Sequence, residues 1–306
     1  MNSLAPICLF AYNRLHTLKR SVEALQKCKE SKDSILYLFC DGIKNEKDKD
    51  NVIAVRNYLK AITGFKHIEL DIREKNIGVS KIIIDGISTT LQKHDKVIII
   101  EDDIVVGNSF LQFMNQCLDF YQHNPRVLTI SGFSIPIKFK PAFKDDVYVL
   151  PRTCSWGWGI WKHKWENIDW SISDFESFSK NKQEIKKFNI GGTDLYKMLW
   201  KQLNGKIDAW DIRISYHQFK QNALTVYPAI SKAINIGFDS MASNCIGYNR
   251  YITPLDEKEY LEFKLPKIVL IDRFILKQFQ DFYSLKSRFI GRVKTEILLV
   301  RQRFNL

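Results

Sequence analysis

Three consecutive acids, Glu101-Asp102-Asp103, follow directly on the apolar run VIII at 97–100. Neighbouring carboxylates repel, so such a cluster needs a cation or hydrogen-bond donors around it. Hard oxygen ligands of this kind suit Mg2+ or Mn2+, which bind one or two carboxylates and complete their shell with substrate phosphates. A solvated acidic turn is the competing reading of the same residues.

The second half carries an aromatic run, CSWGWGIW at 154–161, with further tryptophans at 165, 170, 200 and 210. Gly157 and Gly159 let a backbone or a sugar approach closely, and indole faces pack on the apolar faces of sugars. Core packing is the alternative. Both are expected here, with Trp158 or Trp161 buried and Trp156 near a site. The histidines at 16, 67, 94, 123, 163 and 217 form no HxxxH pair. Neither GxGxxG nor GxxxxGK[ST] nor GxSxG occurs, so a dinucleotide site, a P-loop and a hydrolase elbow are unsupported. The six cysteines form no CxxC pair. With no export signal apparent, they read as reduced core or near-site thiols.

The elements that must position these residues are legible in the first 135. Strand-type runs at 6–11, 34–40, 67–73, 97–100 and 127–131 alternate with helical stripes. The helices are marked by Leu15, Leu18, Val22 and Leu25; by Val52, Val55, Leu59 and Ile62; by an isoleucine-rich stretch reaching His94; and by 110–121. This alternation predicts a three-layer α/β domain with a mostly parallel sheet. Ligands in such sheets sit at the carboxyl ends of strands. The polar breaks Asn13-Arg14, Asp41, Asn76-Ile77-Gly78 and Glu101-Asp102-Asp103 are therefore the places for chemistry.

Taken in order, these motifs resemble the nucleotide-sugar glycosyltransferases of GT-A fold. They are Ala11-Tyr12-Asn13-Arg14, Cys40-Asp41, Glu101-Asp102-Asp103, Ser131-Gly132, the 155–161 run, Trp210-Asp211 with Arg213, and Pro228 to Lys232 leading to Ile236-Gly237. The nearer resemblance is to the branch of the β-1,2-N-acetylglucosaminyltransferase I of N-glycan synthesis and to bacterial family 2-like glycosyltransferases. It spans about residues 6–245. It implies a GT-A-type sandwich with a mixed, mostly parallel sheet, and a nucleoside diphosphate sugar as donor, most simply UDP-linked. By the same resemblance Asp41 would meet the base and Arg14 the base or phosphates. Asp103 would ligate Mn2+ or Mg2+, while Glu101 and Asp102 would hydrogen-bond the donor sugar and ribose. Asp211 would be the catalytic base, against the plainer reading of a helix N-cap. Lys232 and the loop 240–244 would close over the diphosphate, although residues 238–241 do not reproduce the family's glycine and basic residues. Trp156, Gly157, Trp158 and Trp210 would line the acceptor and sugar pocket. The acceptor would be a glycan or a lipid-linked glycan, as in polysaccharide or glycoprotein synthesis.

The chain has 306 residues, 45% of them hydrophobic, and a net charge of +12. Half of that excess lies in residues 267–306, where nine Lys/Arg face three Asp/Glu. The expected division is a catalytic domain at 1–250, with a nucleotide-binding half (1–135) and an acceptor half (136–250), and a basic amphipathic helical extension at 251–306. The apolar positions from Ile271 onward step by three or four, as one helix face requires. Such a face suits a membrane surface, docking on the catalytic domain, or a homodimer contact. No apolar run reaches the ~20 residues of a membrane span, and the N-terminus has no signal-peptide pattern. A cytoplasmic protein, with its place at the inner face of the cell membrane as an option, is expected. No nucleic-acid module accompanies the charge. Two rival functions share these features: a nucleotidyl- or phosphotransferase, and a non-catalytic, membrane-associated carbohydrate-binding scaffold.

Overall fold

The computed structural model describes residues 3–238 and 248–304. The chain starts by alternation, as its periodicity predicts. β1 (Ile7–Ala11) leads into α1 (Leu15–Lys27), β2 (Ile35–Cys40) into α2 (Lys49–Lys60) and β3 (His67–Ile72) into α3 (Val79–Lys93). β4 (Lys96–Glu101), a short β5 (Ile104–Val106), α4 (Phe110–Phe120) and β6 (Val127–Ser131) follow. The second half adds β7 (Val147–Leu150), β8 (Trp158–Trp161), α5 (Lys162–Trp165), α6 (Phe175–Lys180), α7 (Lys182–Phe188), α8 (Leu195–Leu203) and α9 (Ile212–Lys220). It ends with β9 (Leu224–Pro228), β10 (Ala233–Asn235), α10 (Arg273–Phe282) and α11 (Leu285–Phe304).

Eight strands form one sheet in the order β3-β2-β1-β4-β8-β6-β9-β7. β1, β2, β3 and β4 are parallel neighbours, and β6 pairs parallel with β9. β8 lies antiparallel between β4 and β6, and β7 is an antiparallel edge. The result is a mixed, mostly parallel sheet with helices on both faces and a helical C-terminal extension, the architecture the sequence predicts.

Strand alternation sorts the core into two halves. Ile7 and Leu9 of β1, Leu36 and Leu38 of β2, and Ile98 and Ile100 of β4 meet α1, α2 and α4 on one face. Cys8 and Phe10, Tyr37 and Phe39, and Val97 and Ile99 meet α3 on the other, where Ile82, Ile83 and Ile87 pack. β4 runs one residue further than the apolar tetrad and takes in Glu101. By parity Glu101 then points to the α3 side, while Asp102 and Asp103 lie past the strand, nearer α1.

A second, two-stranded sheet pairs β5 antiparallel with β10. It carries Asn235, Ile236 and Gly237 across the end of β4, where the Ile236 amide donates to the Asp103 carbonyl at 2.9 Å. The extension is bound closely to the body. Before its helices begin, it contributes Phe263 and Val269 to the main core.

Candidate active site

The parallel strands end at one cavity of about 650 Å³. Its wall includes Tyr12–Arg14 after β1, Asp41 after β2, Asn76 and Gly78 after β3, and Glu101 to Asp103 at β4. Because β8 is antiparallel, its entrance lies at the same edge, which adds Ser155 and Trp156. Trp210 and Asp211, before α9, close the far side. The fold thus brings Arg14, Asp41, Glu101, Asp102, Asp103, Trp156, Trp210 and Asp211 together.

Arg14 is the cation of the acidic end. Its Nη2 donates to Asp102 Oδ1 at 2.5 Å and to Asp103 Oδ2 at 2.9 Å. The second Asp102 oxygen accepts from the Tyr12 amide at 3.3 Å, and its carbonyl accepts from the Ser21 hydroxyl. The Tyr12–Asn13 turn is braced from outside, since the Tyr12 hydroxyl and the Asn13 amide group both donate to Asp48.

Asp41 lines the cavity, and the protein itself engages most of its carboxylate. It is buried, and its carboxylate accepts from three backbone amides: Gly42 at 2.8 Å, Ile77 at 2.9 Å and Gly78 at 2.9 Å. A carboxylate has about four lone-pair sites, so most of this acceptor capacity holds two loops together. Gly42 lets the loops meet, since a Cβ there would sit 2.1 Å from the carbonyl carbon of Lys75. Asp41 therefore fixes the wall that a base would touch and keeps little capacity to bind one.

Six carboxylates line this cavity, against Arg14 and Lys44. Burial, then repulsion from Asp103, Asp102 and Asp211, pushes Glu101 well above the usual carboxylate range. Asp102 is raised to about 6, chiefly by burial, with Arg14 acting the other way. Asp211 is also raised by burial, with Arg152 and the Ser155 hydroxyl opposing. Arg152 is itself a buried forked partner of Asp194, at 2.9 and 3.1 Å, and lies over the Tyr283 ring.

Asp211 occupies the N-cap position of α9, but its side chain makes no capping hydrogen bond. Its carboxylate lines the cavity instead. The N-cap reading is right for the position and wrong for the side chain.

Three expected residues lie away from the cavity. Lys232 is buried, pairs with Asp256, and sits over the rings of Tyr260 and Phe263 at 3.9 and 4.8 Å. It cannot reach a diphosphate there. Trp158 is in the core beside Trp165 and Trp210, at 6.3 and 5.8 Å. Gly157 serves the backbone: its φ is +64°, and its carbonyl accepts from the Gly132 amide at 2.6 Å. The loop 240–244, expected to close over the donor, lies outside the described residues.

The cavity also includes Asn13 and Asn76 from the polar breaks named above, with Lys44, Ser155, Asp208 and Asn235 beside them. Ser155 falls inside the aromatic run quoted above. Asp208, a less plausible base than Asp211 by sequence, is bonded to Ser80 across the rim. The scattered histidines are partly gathered by the fold. His123, His163 and His217 share a second cavity with Lys164 at the opposite end of the sheet.

No family model matches the chain, and no curated protein matches its sequence. Its backbone aligns loosely with solved structures. One is the mannosyltransferase PcManGT from Pyrobaculum calidifontis in complex with GDP-Man and Mn2+, at 9% identity over 70% of this chain and 69% of that one, with a TM-score of 0.38. A second is the glycosyltransferase GlyE of Streptococcus pneumoniae, at 13% identity over 72% of this chain and 45% of that one, TM-score 0.32. A cytidylyltransferase from Leptospira borgpetersenii aligns at 14% identity over 60% and 74%, TM-score 0.33. Likeness this loose decides neither family nor reaction.

Proposed function

We propose that this cavity holds a nucleoside diphosphate sugar and that the protein is an inverting glycosyltransferase. One observation carries the reading: the Asp211 carboxylate, which makes no N-capping hydrogen bond to α9, shares a single cavity at the carboxyl ends of the parallel strands with the Glu101–Asp103 cluster. An attacking sugar hydroxyl is a poor nucleophile until a carboxylate accepts its proton. Asp211 accepts it, and burial raises its basicity for that purpose. The acceptor oxygen bonds to the anomeric carbon as the bond from that carbon to the diphosphate oxygen breaks. One base on the face opposite the leaving group gives inversion, by analogy with inverting sugar chemistry.

The loops pinned by Asp41 form the nucleoside end, and Asn13 and Asn76 supply polar groups there. Arg14 lies where the diphosphate would pass, between the base end and the acidic cluster. Trp156 and Trp210 wall the sugar. Lys232 takes no part.

The site fits a hard divalent cation, Mn2+ or Mg2+. Arg14 pairs with both Asp102 and Asp103, and burial with mutual repulsion raises Glu101 and Asp102. Among the described residues no three His, Cys, Asp or Glu side chains converge as a complete ligand set. Asp103, assisted by Glu101, would hold the ion and leave its other positions to phosphate oxygens. When bound, the ion would offset charge gathering on the leaving diphosphate. A UDP-linked hexose or N-acetylhexosamine is the donor we favour, with a glycan or lipid-linked glycan as acceptor in the cytoplasm.

The test is thermal denaturation with a panel of nucleotide sugars, with and without Mn2+, followed by an assay of nucleoside diphosphate release. Stabilisation by one donor that depends on the metal is expected. Asp211→Asn should keep that stabilisation and lose about 10²- to 10⁴-fold in kcat. Full activity in the variant would remove Asp211 as base, and silence across the whole panel would remove the transferase reading.

A further inference from the structure

The two C-terminal helices treat their apolar faces in opposite ways. α10 follows the usual rule: Ile275 and Phe279 are buried against Tyr227 and Tyr148. α11 inverts it. Its contacts with the body include Arg288, which donates to Thr193 at 2.9 Å, Thr295, whose hydroxyl accepts from the Tyr248 amide at 3.1 Å, and Lys294, which donates to the Tyr248 hydroxyl at 3.3 Å. Gly291, between them on the same face, lies against the Arg250 side chain. Steps of three and four put these anchors on one side of the helix. Leu285, Phe289, Val293, Ile297 and Val300 fall on the other side. They stand in solvent, with Leu285 69% and Phe289 67% exposed.

A continuous apolar face of this kind needs a cover. Charge decides between the candidates. α11 contains six Lys/Arg and one Glu, a net charge of +5. Two copies joined along this face would bring two such charges together. An anionic bilayer complements the charge and the apolar face at once. The helix lies on such a surface and does not cross it, since among the described residues no helix is long and apolar enough to span a membrane.

We propose that α11 seats the protein on an anionic lipid surface. Its apolar side chains enter the headgroup boundary, and Lys286 and Arg292, which flank that face, meet lipid phosphates. The proposal does not depend on the reaction assigned above.

The test is sedimentation of the full chain with vesicles of phosphatidylcholine containing phosphatidylglycerol, against vesicles of phosphatidylcholine alone. Partition onto the anionic vesicles should be at least about tenfold stronger and should fall as salt is raised. The variant Leu285→Ser/Phe289→Ser/Ile297→Ser should lose binding with an unchanged melting temperature, because these side chains are exposed. A second variant, Lys286→Glu/Arg292→Glu, should lose the preference for anionic lipid with the apolar face intact. Equal binding to both vesicle types, undiminished binding by both variants, or a lipid-free dimer that the serine variant abolishes would each overturn the proposal.

Discussion

A methyl group on Gly237 would sit 2.1 Å from Oδ2 of Asp103. The contact arises because β10 pairs with β5 and lays residues 235–237 across the end of β4. The same methyl would be 2.7 Å from Nη1 of Arg14. Gly237→Ala must therefore push Asp103 and Arg14 out of place or lift the segment off them. Donor-dependent thermal stabilisation is expected to vanish, and the melting temperature of the free protein to fall, because the clash disturbs the buried Arg14–Asp103 pair. A variant with normal donor binding would show that this segment does not shape the site.

Arg14 bridges two acids whose side chains are only 6% and 11% exposed. Arg14→Ala leaves both uncompensated, which costs on the order of 3 kcal/mol for a buried pair. It also frees carboxylate oxygens that the guanidinium now occupies. The variant should melt at lower temperature and gain a larger upward shift on adding Mn2+ than the parent does. Asp102→Asn in the same background should recover part of the lost stability. If Mn2+ shifts parent and variant equally, the acids released by Arg14 are not where the ion binds.

Asp41→Asn replaces one acceptor oxygen by an amide that must face the amides of Gly42, Ile77 and Gly78. Losing hydrogen bonds to a buried charge costs about 1–3 kcal/mol. The loops after β2 and β3 should loosen. The expected signature is a raised KM for donor with kcat nearly kept, because Asp41 is remote from the Asp211 end. A fall in kcat at unchanged KM would place Asp41 among the reacting groups.

What the sequence makes legible is local. Arg14, Asp41 and Asp103 are found because a polar break after a β-run lies at the carboxyl end of a strand, whatever the strand order. The insertion of β8 between β4 and β6 depends on pairing residues far apart in the chain, and periodicity does not carry that. The split between Trp156 and Trp158 has a sharper cause. The two would share a strand face by parity, but Gly157 at φ +64° breaks the extended backbone between them. Trp158 goes to the core and Trp156 to the cavity. Lys232 misleads because its partner, Asp256, lies in a stretch without period, where no local pattern announces a buried ion pair.

Ser155 gives a test of Asp211 that leaves the base itself in place. Burial raises the Asp211 carboxyl, and the Ser155 hydroxyl holds it down by hydrogen-bonding to the charged form. A base works only when deprotonated, so activity should rise with pH through the Asp211 value and then level off. That rise should lie above the usual aspartate range in the parent. Ser155→Ala removes a donor to the carboxylate and should move the rise to still higher pH. The plateau kcat should be nearly kept, since the proton acceptor is unchanged. The measurement is the pH profile of kcat for nucleoside diphosphate release in both proteins. A lower plateau with an unmoved rise would mean that Ser155 acts on the substrate and not through Asp211.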